Sequence, residues 1–135
     1  MRTVLPRAAV ALVAALLVAW SAVLWRGDGI GSDASDRLIR NADLSEAAFA
    51  HEMERLRDAE LLDPSTRWPV ARAGALYQRG RFEQSARVLE DVLDEEPDNL
   101  EAWLYMREVV QGRDPARAAQ ARAAIRRLNP APPED

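Results

Sequence analysis

The chain contains no cysteine. That removes disulfides, thiolate chemistry and cysteine-based zinc sites, and leaves the redox compartment undefined. It contains no lysine either: all 18 basic residues are arginine. This reads as the codon bias of a high-GC bacterial genome, with arginines solvated on helix surfaces. Aromatic residues make up only 6% of the chain, and His51 is its one histidine. No alternating, β-branched run of strand length is present. With alanine and leucine frequent, these absences point to an all-α chain. Its 135 residues suffice for one small domain and an appendage.

Charge excludes a further class. Three arginines (Arg2, Arg7 and Arg26) flank the N-terminal segment, and the other 15 face 22 acidic residues, a net of −7. A domain this acidic, with its arginines scattered, is a poor match for nucleic acid. Catalytic and metal sets are equally hard to assemble. His51-Glu52-Met53-Glu54-Arg55 starts like a zinc-protease helix, but Arg55 stands where a second histidine is needed. The acidic residues Asp91, Asp94, Glu95, Glu96, Asp98 and Glu101 lack the spacing and glycine of a calcium loop and read as a solvated helix end. Neither an enzyme, a cofactor nor a small-molecule substrate is expected.

The one long hydrophobic run covers residues 8–25 (AAVALVAALLVAWSAVLW). As a helix it is about 27 Å long, close to the hydrocarbon thickness of a bilayer. Ser21 can be satisfied by its own helix backbone, and Trp20 and Trp25 suit the membrane–water interface. Residues 1–26 therefore read as a single-pass membrane anchor. A cleaved signal peptide, with Ala19-Trp20-Ser21 as its small-x-small triplet, is the rival. Arg2 and Arg7 favour a cytoplasmic N-terminus and an extracytoplasmic domain at the cell membrane.

Residues 27–32 (GDGIGS) read as a flexible linker. A short helix is expected over 33–41, then one to Leu62 with Asp43 as N-cap and Glu46 as its capping-box partner. Phe49, Met53, Leu56 and Ala59 fall on one face of that helix. Two helices follow, over 66–78 and 82–95, separated by Arg79-Gly80-Arg81. Their stripes are Val70, Ala73, Leu76 and Tyr77, then Phe82, Ala86, Leu89, Val92 and Leu93. A third pair starts with Asp98 as cap and shows Leu100, Trp103, Met106 or Leu104, and Val110. Its second helix has Asp114 as cap and Pro115 at the first helical position, with a stripe of Ala118, Ala121, Ile125 and Leu128. The tail 131–135 reads as disordered. LLDP at 61–64, DEEP at 94–97 and RLNP at 127–130 close the three units at intervals of 33 residues.

The unit resembles the tetratricopeptide repeat. With Pro97 as closing proline, Gly80 falls at the inter-helix turn, Ser85 at the small-residue place, Leu89 at the large apolar one and Val92 at the next small one. In the last unit Trp103, Met106, Ala118 and Pro130 match, with one residue fewer at the turn. Pro69 replaces the early tryptophan of the middle unit, and Glu52 stands at a small-residue place in the first. The resemblance implies a short right-handed α-solenoid: a degenerate capping hairpin at 33–64 and repeats at 65–98 and 99–130. It also implies a non-catalytic scaffold that binds a protein partner on the concave face lined by the first helix of each pair. Matching positions are Arg67, Val70, Gly74, Tyr77 and Gln78, then Glu101, Leu104, Tyr105 and Glu108. Similar repeat segments accompany polysaccharide polymerases, O-antigen ligases and cytochrome c assembly factors, so an accessory subunit of such an envelope enzyme is the alternative.

Overall fold

The structure, a computed structural model, describes the backbone of residues 4–40 and 43–130 and the side chains within them except those of 4–9, 11 and 23–27. Among the described residues it is all-α, with no strand. Six helices follow in order: α1 (Val4–Arg40), α2 (Glu46–Leu62), α3 (Arg67–Gln78), α4 (Phe82–Glu95), α5 (Leu100–Val110) and α6 (Pro115–Leu128). They pair as α1–α2, α3–α4 and α5–α6, and the pairs stack side by side through α2–α3 and α4–α5. The expected disordered tail, 131–135, lies outside the described residues.

The largest departure from expectation is at the N-terminal side. Neither a linker at 27–32 nor a separate helix from residue 33 exists: α1 runs unbroken for 37 residues. Of the glycines that suggest flexibility, Gly31 has a packing reason instead. A Cβ on Gly31 would lie 2.6 Å from the ring of Trp68, so only glycine lets α1 approach α3 this closely. Trp68 is 1% exposed, the largest of the fully buried side chains, and donates from Nε1 to Asp63 Oδ2 at 3.2 Å. Arg67, the residue before Trp68, donates to Asp28 Oδ1 at 2.6 Å, about one turn before Gly31 on α1, and stacks over the Trp68 ring. Tertiary contact thus offsets the roughly 1 kcal/mol per glycine that a helix interior normally loses.

The expected anchor falls partly on residues whose side chains lie outside the described set. Among the described residues no helix is long and apolar enough to cross a membrane. Those that are described from Val10 to Trp20 are exposed, the large apolar ones by 55 to 70%. Ser21 donates to Leu17 O at 2.8 Å, within its own helix.

The first hairpin is made by the last three turns of α1 and by α2. Ala34 and Leu38 of α1 join Phe49, Met53, Leu56 and Ala59 of α2, with Trp68, Ala75 and Leu76 of α3, in one core. A second core joins Val70 and Ala73 of α3 to Ala86, Leu89 and Val92 of α4, Met106 and Val109 of α5 and Ala118 and Ala121 of α6. The middle helix α3 therefore feeds both cores, so more of its surface is buried than a single stripe would bury.

Equivalent positions 33 residues apart show what sets each helix pair. Ser85 is fully buried and donates to Ala73 O at 2.8 Å, holding α4 against α3. Ala118 occupies the same place in α6 and Glu52 in α2, both buried. A glutamate fits there because α1 supplies Arg37, 3.3 Å from Oε1, while Arg55 lies 2.8 Å from Oε2. Two hydrogen-bonded cations offset the desolvation of the buried carboxylate.

The two glycine turns are built differently. Gly80 (φ 70°) ends α3 in a Schellman motif, with Arg81 N donating to Leu76 O and Gly80 N to Tyr77 O, both at 2.9 Å. After α5 the chain makes a type II turn instead, with Gln111 at φ −57°, ψ 124° and Gly112 at φ 73°. Arg113 N closes it on Val110 O at 3.0 Å. The residue missing before Gly112 is lost from the helix: α5 has 11 residues where α3 has 12. Caps shift slightly from expectation. Ser45, not Asp43, caps α2 by accepting from Ala48 N, and Asn99, not Asp98, caps α5 by accepting from Ala102 N. Asp114 caps α6 and Pro115 opens it, as expected.

Candidate functional site

The first helices of the three pairs run in the same direction. Asp28 and Gly31 of α1 meet Arg67 and Trp68 of α3. Thr66 and Gly74, before and within α3, meet Asn99 and Tyr105, before and within α5. Ascending numbers on one helix meet ascending numbers on the next, so α1, α3 and α5 lie parallel and form one face of the stack.

That face carries the candidate residues unevenly. Gln78 is exposed and Leu104 is 37% exposed, and both are available to a partner. Tyr105 is half-buried: its ring edge covers Gly74, where an added Cβ would come within 3.2 Å. Tyr77 is half-buried against the second core, with its ring edge-on to Phe82 at 5.7 Å between centroids. Glu108 pairs with its neighbour Arg107 at 2.6 Å. One expectation needs correction: Val70 is 2% exposed and belongs to the core, because α3 has neighbours on both sides. Arg67 is exposed on this face and bonds Asp28 and Ser32 of α1.

What the face does hold is a shallow polar groove of ≈340 Å³, lined by Ser32, Ser35 and Asp36 of α1, Arg67, Trp68 and Ala71 of α3, and Glu101 of α5. The α1 contribution escapes a sequence reading that treats 27–32 as a linker. The signal was present: Ala34 and Leu38 are spaced as a helix face, and Ser35 and Asp36 fall on another side of the same helix. The opposite face, formed by α2, α4 and α6, has recesses that no candidate residue lines, two of them between neighbouring hairpins. One, of ≈460 Å³ between α2 and α4, includes Met53, Arg57 and Asp91. The other, of ≈360 Å³ between α4 and α6, includes Glu90, Val109 and Arg117. Arg87 lines both.

Electrostatics on the stack is structural in character. Arg79 and Arg81, from the turn of the middle hairpin, stack over Phe49 of the first, and Arg113 of the last stacks over Phe82 of the middle one. Each turn thus covers the aromatic ring of the preceding hairpin. At the other edge, Glu96 accepts from Thr66 Oγ1 at 2.7 Å and from Asn99 Nδ2 at 2.9 Å. These two bonds hold its carboxyl below the ordinary glutamate range. Glu60 shifts the other way: burial between α2 and α3 raises it, partly countered by Arg72 at 2.9 Å. His51 is exposed on α2. Among the described residues no three His, Cys, Asp or Glu side chains gather to hold a metal ion.

No protein-family model, curated protein or solved structure matches the chain.

Proposed function

We propose that the chain is a non-catalytic, membrane-anchored protein of the bacterial envelope whose stacked hairpins, of the tetratricopeptide-repeat kind, hold another protein. The observation that carries this reading is the joining of two unlike surfaces by one helix. The first half of α1 presents large apolar side chains, from Val10 to Trp20, that are exposed among the described residues, and residues 8–25 are long enough to cross a bilayer. The second half is built into a stack whose parallel helices α1, α3 and α5 hold a polar groove at one end and expose Gln78 and Leu104 further along the same face. Such a face suits an extended or helical segment of a protein, with Tyr105 as a semi-rigid edge. Arg2 and Arg7, ahead of the apolar run, favour an N-terminus in the cytoplasm and the hairpins outside it.

The test is site-specific photocrosslinking in native membranes. A photoreactive residue at Leu104 is expected to capture a discrete partner, and one at Arg87, on the opposite face, is expected to capture markedly less. Equal capture from both faces would reject the groove as the binding surface. Extraction of the full-length chain by alkaline carbonate would reject the anchor.

A further inference from the structure

We infer that the edge of the stack formed by the ends of α2 and α4 is a second membrane contact, resting on the headgroup layer. The inference rests on the reading of residues 8–25 as a membrane helix.

The level of this edge follows from pairings along the helices. Arg37 and Asp33 of α1 meet Glu52 and Arg55 of α2 respectively, so α2 runs back along α1 toward the apolar run. Leu61 lies six residues beyond Arg55. At a rise of about 1.5 Å per residue it stands about 9 Å further, level with residue 27. The start of α3 is tied to the same level by Arg67 and Asp28. The loop before α5 is tied to it in turn through Asn99 and Thr66, and the end of α6 through Arg127 and Asp98 at 2.9 Å. Asp28 is only three residues past the end of the apolar run, a rise of about 4.5 Å. An unbroken helix that crosses the bilayer therefore carries this whole edge at headgroup depth. The opposite edge, with the turns at Gly80 and Gly112, stands about 18 Å higher, the length of α3.

The chemistry of the edge fits that position. Leu61 is 85% exposed, the highest value among the exposed large hydrophobic side chains. Pro64 and Pro97 are also exposed there. Several carboxylates of this edge are already occupied: Asp63 by Trp68 and Ser65, Glu96 by Thr66 and Asn99, Asp98 by Arg127. Bonds from neutral donors leave Asp63 and Glu96 ionised, and with Asp94, Glu95 and Glu101 they make the matching surface one of zwitterionic rather than anionic lipid.

The absence of cysteine makes the test clean, because each added thiol is unique. Full-length protein is reconstituted in phosphatidylcholine vesicles containing a headgroup-linked quencher lipid. A fluorophore is placed in turn at Leu61→Cys, Glu95→Cys, Asp43→Cys and Gln111→Cys. Quenching is expected to be at least threefold stronger at the first two positions than at the last two. Equal quenching at all four, in protein that floats with the vesicles, would overturn the edge contact and leave the anchor standing. Failure to float would overturn the anchor and this inference with it.

Discussion

Along α1, the described side chains from Val10 to Trp20 are mostly large and apolar yet exposed, whereas Gly31, Ala34 and Leu38, in a glycine-rich and charged stretch, are buried. Burial here inverts what hydropathy alone would assign. The difference lies in partners: the second half meets α2 and α3, whereas the described side chains from Val10 to Trp20 are exposed. A glycine-rich segment becomes rigid when another element needs its backbone close. A hydrophobic segment stays exposed when its solvent is something other than the rest of the chain.

Substitutions can break this contrast. The largest effect is expected from Trp68→Ala, which removes the ring against which α1 packs and should lower stability by about 3–5 kcal/mol. Chemical denaturation of full-length protein in detergent would measure it. Gly31→Ala should cost about 1–3 kcal/mol, because its methyl group must displace the Trp68 ring or push α1 away. Gly29→Ala, two residues earlier, should do the opposite. A Cβ there meets nothing within 4 Å, so improved helix propensity should raise stability by about 0.5–1 kcal/mol. If residues 27–32 were a flexible linker, both alanines would be nearly silent. Arg67→Ala should cost no more than about 1 kcal/mol, since its ion pair with Asp28 is more than half exposed.

The smallest expected effects are pH-dependent and opposite in sign. Glu96 has a lowered pKa in the fold, so its stabilisation is present above the ordinary glutamate range and is lost as pH falls through the lowered value. Glu60 has a raised pKa, so its protonation on acidification favours the folded state. Glu96→Gln should flatten the acid limb of a stability–pH curve, and Glu60→Gln should remove a gain on acidification. Thermal melts across the acidic range would separate the two.

Much of the stack was legible before any coordinates. The bounds of α4, the Gly80 turn and the Asp114-Pro115 start of α6 follow from local chemistry that tertiary contact did not override. The caps at Ser45 and Asn99 each lie within two residues of the expected Asp43 and Asp98, since several adjacent side chains there can accept from the first turn. The misses have two causes. The helicity of residues 27–32 depends on Trp68, 37 positions away from Gly31, and no local pattern reports that contact. Val70 reaches the groove only through the positions that the resemblance implies, whereas its place in the stripe with Ala73 and Leu76 already marks it as core. Part of the candidate site went unseen for the first reason: Ser32, Ser35 and Asp36 line the groove only because α1 continues.

The continuity of α1 carries most of these conclusions, and a distance distribution measures it directly. Spin labels at Ser21→Cys and Gln111→Cys in the full-length protein, read by pulsed dipolar spectroscopy in a lipid nanodisc, should give a single narrow distribution that broadens when Gly29→Pro breaks the helix. A broad distribution from the chain with Gly29 intact would contradict a rigid connection between the apolar half of α1 and the hairpin stack.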